Sequence, residues 1–170
     1  ERPSILDNPR ADRVKKVAAL AGRSARSKQG KILVEGPQAV RELVRYRSSF
    51  VEDVYYTALA AQMHPDVIED ARRACPWVHE VTDEVSEVLS RDSQGICAVA
   101  RVGAIQSELP EIHAGDCVVV LAQGRDPGNA GTIMRTADAM GARAIIAVKG
   151  SVDASNPKVI RSSAGSVFHL

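Results

Sequence analysis

Apolar positions along the chain recur with two periods, one helical and one strand-like, and the pattern switches between them at short intervals. Over residues 8–21, Val14, Val17, Ala18 and Ala21 fall at helical spacing with Lys and Arg on the other side, which predicts a first helix closed by Gly22. Residues 23–30 are basic and lack an apolar stripe, so a loop is expected there. Ile32, Leu33 and Val34 predict a short buried strand, and Glu35-Gly36-Pro37 a turn into a helix over 38–45 with Val40, Leu43 and Val44 inward. A strand at 51–57, a helix at 65–74, a strand at 77–81 and a closing strand at 96–102 continue the rhythm. Before the last strand, Thr82 followed by Val85, Val88 and Leu89 predicts a short helix, because a Thr hydroxyl accepts from free amides of a first turn. Strands alternating with helices predict a mostly parallel α/β domain over residues 1–102.

Residues 103–115, with Gly103, Pro110 and Gly115 and no periodicity, interrupt the pattern and read as a linker. A second unit follows over 116–170: strand 117–122, loop 123–127, helix 128–140 and strand 144–148. Such a βαβ unit is expected to cross over right-handed, with its ligand side at the carboxyl ends of the strands. In its helix Ala130, Ile133, Ala137 and Met140 are expected on one apolar face, with Gly128, Gly131, Arg135 and Asp138 on another.

Composition narrows the classes. At 170 residues and 45% hydrophobic content the chain buries a core of one domain or two compact ones. Its apolar runs, 118–122 and 144–148, are strand-sized, and no basic-then-apolar leader opens it, so a cytoplasmic protein with no membrane partner is expected. Cys75, Cys97 and Cys117 are far apart in apolar sequence and are expected to be reduced, buried thiols; no metal site is expected. The net charge of +1 conceals an asymmetry. Arg10, Arg13, Lys15, Lys16, Arg23, Arg26, Lys28 and Lys31 stand against Asp12 alone, whereas residues 32–106 hold twelve acids against seven arginines. A basic arm before an acidic body suits either polyanion binding or a solvated helix face.

Two stretches carry candidate chemistry. Asn129 to Ala137 and Asn156 to Ser166 each open on an asparagine at an expected helix start, carry an arginine, and are rich in small residues. Glycine in a helix costs roughly 1 kcal/mol relative to alanine, so Gly128 and Gly131 beside Arg135 need a reason. Close approach of a ligand is one; tight helix packing, with Arg135 paired to Asp138, is the other. Arg125 and Asn129 add donors at the positive end of the same helix. In the second stretch Asn156 caps, Pro157 fits the first helical position, and Arg161 and Ser162 to Ser166 offer a cation, hydroxyls and bare backbone. Neither stretch is a phosphate loop or a dinucleotide fingerprint.

At these residues the chain resembles the SpoU (TrmH-like) family of RNA ribose 2′-O-methyltransferases, of the knotted SPOUT class. The first family motif is matched by Asn129, Gly131, Ile133, Arg135, Thr136, Ala137, Ala139 and Gly141, the second by Asn156-Pro157-Lys158 and Arg161 to Ser166 running into Phe168. Leu33-Val34-Glu35-Gly36 and Gln94-Gly95-Ile96 resemble turns of the ribosomal-protein-like RNA-binding domain that precedes the catalytic domain in the family. The resemblance implies S-adenosylmethionine as cofactor, an RNA substrate, ribosomal rather than transfer RNA, and a homodimer. The family's third motif, a glycine-rich loop and a Ser-Leu-Asn segment, has no counterpart before Leu170. Most of the cofactor pocket is therefore expected beyond Leu170, and these residues alone are expected to bind the cofactor weakly and to be inactive.

By resemblance Arg135 activates the 2′-hydroxyl and Asn129 positions it. A guanidinium, with a pKa above about 12, is an unusual base, so two versions stand: Arg135 loses its proton to a phosphate or the cofactor, or it stays charged and stabilises the developing alkoxide. RNA contacts are expected from Arg10, Lys15, Lys16, Arg23, Arg26, Lys28, Gly36, Arg125, Arg161 and Ser166. The competing reading is a non-catalytic RNA-binding module; a doubly wound nucleotide enzyme is disfavoured because no glycine-rich loop follows a first strand.

Overall fold

The computed structural model describes residues 4–170; residues 1–3, at the start of the expected first domain, lie outside it. The class is α/β, as expected, built on a four-stranded and a two-stranded sheet. In the first unit α1 (Asp12–Ala18) continues into a 3-10 turn, Ala19–Ala21, and the basic stretch expected as a loop is instead helix α2 (Arg23–Gln29). Then come β1 (Lys31–Glu35), α3 (Pro37–Tyr46), β2 (Val51–Tyr56), α4 (Ala58–Met63), α5 (Pro65–Ala74), β3 (Val78–Glu80), α6 (Asp83–Leu89) and β4 (Ile96–Arg101). The Thr82 hydroxyl accepts from the Val85 amide at 3.3 Å, so the expected cap of α6 forms.

The expected parallel sheet is corrected. Strand order is β1-β4-β2-β3; only β2 and β3 pair in parallel, while β4 lies antiparallel between β1 and β2. The three strands joined by helical crossovers run the same way. The fourth turns back after the short α6 and enters the middle, which leaves its residues, Ile96 to Ala100, buried on both faces.

A 3-10 turn, Val102–Ala104, runs into residues 103–115, whose backbone is otherwise irregular. Beyond them β5 (Val118–Leu121), α7 (Pro127–Ala139) and β6 (Ala144–Ala147) form the expected parallel βαβ unit, followed by α8 (Pro157–Ser162) and a 3-10 turn, Ser166–Phe168. One apolar core crosses the linker: Ile32, Val40 and Leu43 of the first unit pack in the same cluster as Leu121, Met134, Ile160 and Phe168 of the second. A smaller cluster on the other sheet face buries Val14, Val17 and Leu20 against Tyr55 and Val99.

Candidate active site and RNA surface

Helix α7 starts at Pro127, one residue before the expected bound, and its cap lies three residues before Asn129. Asp126 is the N-cap, its Oδ1 accepting from the Asn129 amide at 2.7 Å, and Pro127 takes the first helical position, where no amide is needed. Asn129 is thus inside the first turn. The buried stripe is Ala130, Gly131, Met134 and Ala137, so the expected apolar face is rotated: Ile133 is exposed and Met140 is 82% exposed.

Gly131 is explained by this stripe. A Cβ there would stand 2.4 Å from the Ser162 Cβ and 2.7 Å from the Ser163 amide nitrogen, so α7 and α8 touch backbone to backbone. The outward side of α7 holds Asn129, Thr132, Arg135 and Thr136. Both threonine hydroxyls donate back to carbonyls one turn earlier, at 3.0 and 2.9 Å. Among the described residues the Arg135 guanidinium has no hydrogen-bond or ion-pair partner, and Asp138 is not paired with it. Asn129 and Arg135 lie about 120° apart around the axis, both in solvent.

Helix α8 has the expected start: Asn156 Oδ1 accepts from the Lys158 amide at 2.9 Å and Pro157 follows. Its polar residues are turned to structural use. The Ser162 hydroxyl donates to the Lys158 carbonyl at 2.7 Å, the Ser163 hydroxyl to the Ile160 carbonyl at 2.7 Å, and Ser166 is buried in the closing turn. Gly165, at φ 87°, brings its backbone against α3, where a Cβ would lie 2.5 Å from the Glu42 Cβ. Arg161, expected to meet phosphate, donates to Glu35 at 2.9 Å and pairs with Asp92 at 3.2 Å. Glu35 is itself buried and accepts from the Ser90 hydroxyl. Arg161 therefore pairs with a buried carboxylate at the end of β1 and joins the two units.

A second join is made by His169, which sequence reasoning left out. Its Nδ1 lies 2.6 Å from Asp138 of α7 and its Nε2 3.0 Å from Glu42 of α3, with the Tyr46 ring 4.2 Å away. Burial alone would lower its pKa, but hydrogen bonds to Asp138 and Glu42, and their charges, outweigh this and raise it. A histidine beside a matched motif was the available signal; its carboxylates come from distant helices.

The basic arm is divided by the structure. Arg10, Lys15, Lys16, Arg23 and Lys28 are exposed. Arg26 is 6% exposed, donating to the Leu20 and Ala21 carbonyls at 3.1 and 2.8 Å, to Ser155 at 3.2 Å and to Asp153 at 3.0 Å. It clasps α2 to the segment after β6, and its guanidinium is taken up by these partners. Gly36 is buried at φ 95°, its amide engaged with the Ile96 carbonyl at 2.9 Å, and Arg125 is exposed in the loop before α7. Cys75 and Cys97 are buried; Cys117 is exposed, against expectation, because it precedes β5 rather than lying within it.

A cavity of about 410 Å³ borders β6. Leu109, Met134, Ile145, Ile146 and Val167 line it, with Gln106 and Glu108 among the polar groups. That apolar lining suits further protein packing better than a charged sulfonium nucleoside. Among them no cluster of metal-ligating side chains occurs, and no helix is long and apolar enough to cross a membrane.

These features define an α/β chain in which a mixed-sheet unit is docked on a βαβ segment that carries the two motif helices. The family model for the MRM3-like substrate binding domain matches residues 11–98, and that for the SpoU rRNA methylase family matches residues 116–170. The chain belongs to the SpoU methylase family. An uncharacterized tRNA/rRNA methyltransferase from Synechocystis sp. is 32% identical over 164 residues, 92% of this chain and 57% of the relative. The 23S rRNA (guanosine(2553)-2′-O)-methyltransferase RlmP of Bacillus subtilis is 28% identical, covering 97% of this chain and 62% of the relative. The AdoMet-bound rRNA methyltransferase from Sinorhizobium meliloti superposes with a TM-score of 0.77 at 27% identity, over 98% of this chain and 62% of that one. The chain thus spans about three fifths of the length of these relatives.

Proposed function

We propose that the chain takes part in S-adenosylmethionine-dependent methyl transfer to a ribose 2′-hydroxyl of RNA, with ribosomal RNA as substrate. The observation that carries this is Arg135: a guanidinium on the outward face of a well-capped helix, in a motif of this family, with no partner in the described chain. A cation left free while Arg26 and Arg161 are tied to carboxylates is available to a ligand. The names of RlmP, a 23S rRNA methyltransferase, and of the Sinorhizobium meliloti rRNA methyltransferase favour that substrate over transfer RNA.

The cofactor supplies an electrophilic methyl group. Arg135 meets the acceptor oxygen. Without a base beside it, a guanidinium is a donor only, so of its two roles the charged one is favoured: it stabilises negative charge growing on the 2′-oxygen while the hydroxyl proton passes to solvent water. Asn129 orients the nucleotide from the first turn of α7. Arg10, Lys15, Lys16, Arg23 and Lys28 contact phosphates from a substrate unit of residues 1–102, which residues 103–115 join to a catalytic segment of residues 116–170 that adds Arg125. The protein works in the cytoplasm, and as a homodimer, the latter supported by the exposed Val120, Ile133 and Met140. The 170 residues alone are expected to be inactive.

The test is an assay of the protein produced from the intact gene, with methyl-labelled cofactor and ribosomal RNA digested to nucleosides. Label in a 2′-O-methylnucleoside is expected, retained substantially by Arg135→Lys and lost by Arg135→Ala. RNA binding without methyl transfer would establish the non-catalytic module instead. Micromolar affinity of the 170 residues alone for S-adenosylmethionine in calorimetry would contradict the expected weak binding.

A further inference from the structure

The end of the four-stranded sheet where β1, β2 and β3 begin and β4 finishes carries an aromatic, basic cleft that the methyl-transfer reading does not use. Trp77, the only tryptophan of the chain, precedes β3 and is 57% exposed. His79, on the same side two residues on, has its ring centroid 6.2 Å away and its plane 22° from parallel. Tyr55, paired with His79 across β2 and β3, continues the series at 5.7 Å and 26°. Three rings therefore step outward from Tyr55, which is buried, to a tryptophan in solvent.

The series is held from beneath. Arg13 donates to the Tyr55 hydroxyl at 3.1 Å and to Asp53 at 2.8 Å, and its Nη2 lies 3.0 Å from His79 Nε2. Burial, and then the Arg13 charge, hold the His79 pKa below its ordinary value. Beside it opens a cleft of about 640 Å³ bordered by Ser49, Glu52, Trp77 and Arg101. Lys31 is paired with Glu52 at 2.7 Å and Arg13 with Asp53. Arg101 lies over the Phe50 ring at 5.2 Å and donates to the Ser49 carbonyl at 2.5 Å, with no carboxylate partner among the described residues. One positive charge is left over at the mouth of the cleft.

An exposed tryptophan alone is ordinary. A tryptophan braced by stacked rings next to an uncompensated guanidinium presents a flat π-face and an anion contact together, and that pair of features is the chemistry of a nucleotide. We propose that this cleft is a nucleobase-stacking site in which an unpaired base of single-stranded RNA lies on Trp77 and its phosphate meets Arg101. The proposal rests on the reading of the chain as acting on RNA. Stacking on an aromatic tolerates any base, and single strands are where RNA exposes bases to protein. An acidic peptide would satisfy Arg101 but not the ring. The strands run from Lys31 opposite Arg101 to Glu35 opposite Cys97, near Arg161; at about 3.3 Å per residue the cleft is at least roughly 13 Å from that join. The cleft thus lies at the opposite end of the sheet from that join.

Because Trp77 is the sole tryptophan, its emission reports on this site alone. The 170-residue chain is titrated with a fluorescein-labelled single-stranded oligoadenylate at low salt, following label anisotropy and tryptophan emission together. Emission is expected to be quenched in step with binding. Trp77→Ala should weaken binding about tenfold, Trp77→Phe less, and Arg101→Ala should lower the slope of log affinity against log salt by about 0.7. Circular dichroism should be unchanged in all three. Binding with unquenched emission, or unaltered affinity of Trp77→Ala, overturns the cleft while leaving the RNA reading intact. Equal quenching by polyglutamate also overturns it. Absence of any RNA binding overturns both.

Discussion

Helices α7 and α8 look alike as sequence and differ as physical objects. Each carries an asparagine, small residues and an arginine. In α8 the arginine is joined to Glu35 and Asp92 and the serine hydroxyls are spent on the helix's own carbonyls. In α7 the inward side is as tightly packed, but the outward side leaves Arg135 without a partner. A motif residue is available for chemistry only where the fold supplies no counter-charge. The same motif can thus be half scaffold and half site.

The comparison can be broken by substitution, beginning where the packing is closest. Gly131→Val drives a side chain into Ser162 and the α8 backbone, and is expected to cost about 3 kcal/mol in urea unfolding; a loss below about 1 kcal/mol would mean that the helices separate easily. Arg161→Ala leaves the buried Glu35 with the Ser90 hydroxyl alone and is expected to cost about 2 kcal/mol. Arg135→Ala, the matched change on α7, should stay within about 0.5 kcal/mol of the parent. Equal losses from the two arginine variants would erase the distinction between the helices.

His169 sharpens it through pH. Its folded pKa is raised by Asp138 and Glu42, so its contribution is fully present below the ordinary histidine value and is lost as pH rises through the folded value. The groups facing it from α3 and α7 are Glu42, Tyr46 and Asp138. Unfolding curves across neutral pH should show stability falling as pH rises, and the slope should be smaller in His169→Gln. Identical slopes would remove His169 as the cause.

Much of this was legible where local chemistry decides. The Thr82 cap, the Asn156-Pro157 start and helix Pro65–Ala74 follow from side chains acting on their own backbone or from a clear stripe. Helix α2 was missed because Arg-Ser-Ala-Arg-Ser-Lys-Gln shows no apolar stripe; its inward residue is Arg26, whose partners Asp153 and Ser155 lie far along the chain. The place of β4 was missed because strand–helix alternation gives the direction of crossovers and not which strand enters between two others. Of the site, the residue types were readable and their availability was not. Arg161 and Arg135 differ only through Glu35 and Asp92, which no local pattern connects to α8.

The central claim is that the outward face of α7 serves methyl transfer to ribose through Arg135. Mapping 2′-O-methylation across total RNA from cells carrying the gene intact, deleted, or with Arg135→Ala tests it most directly. The account predicts that the same ribosomal RNA position loses its methyl group in both altered strains, with the Arg135→Ala protein present at normal levels. Full methylation at every position in the Arg135→Ala strain would contradict it.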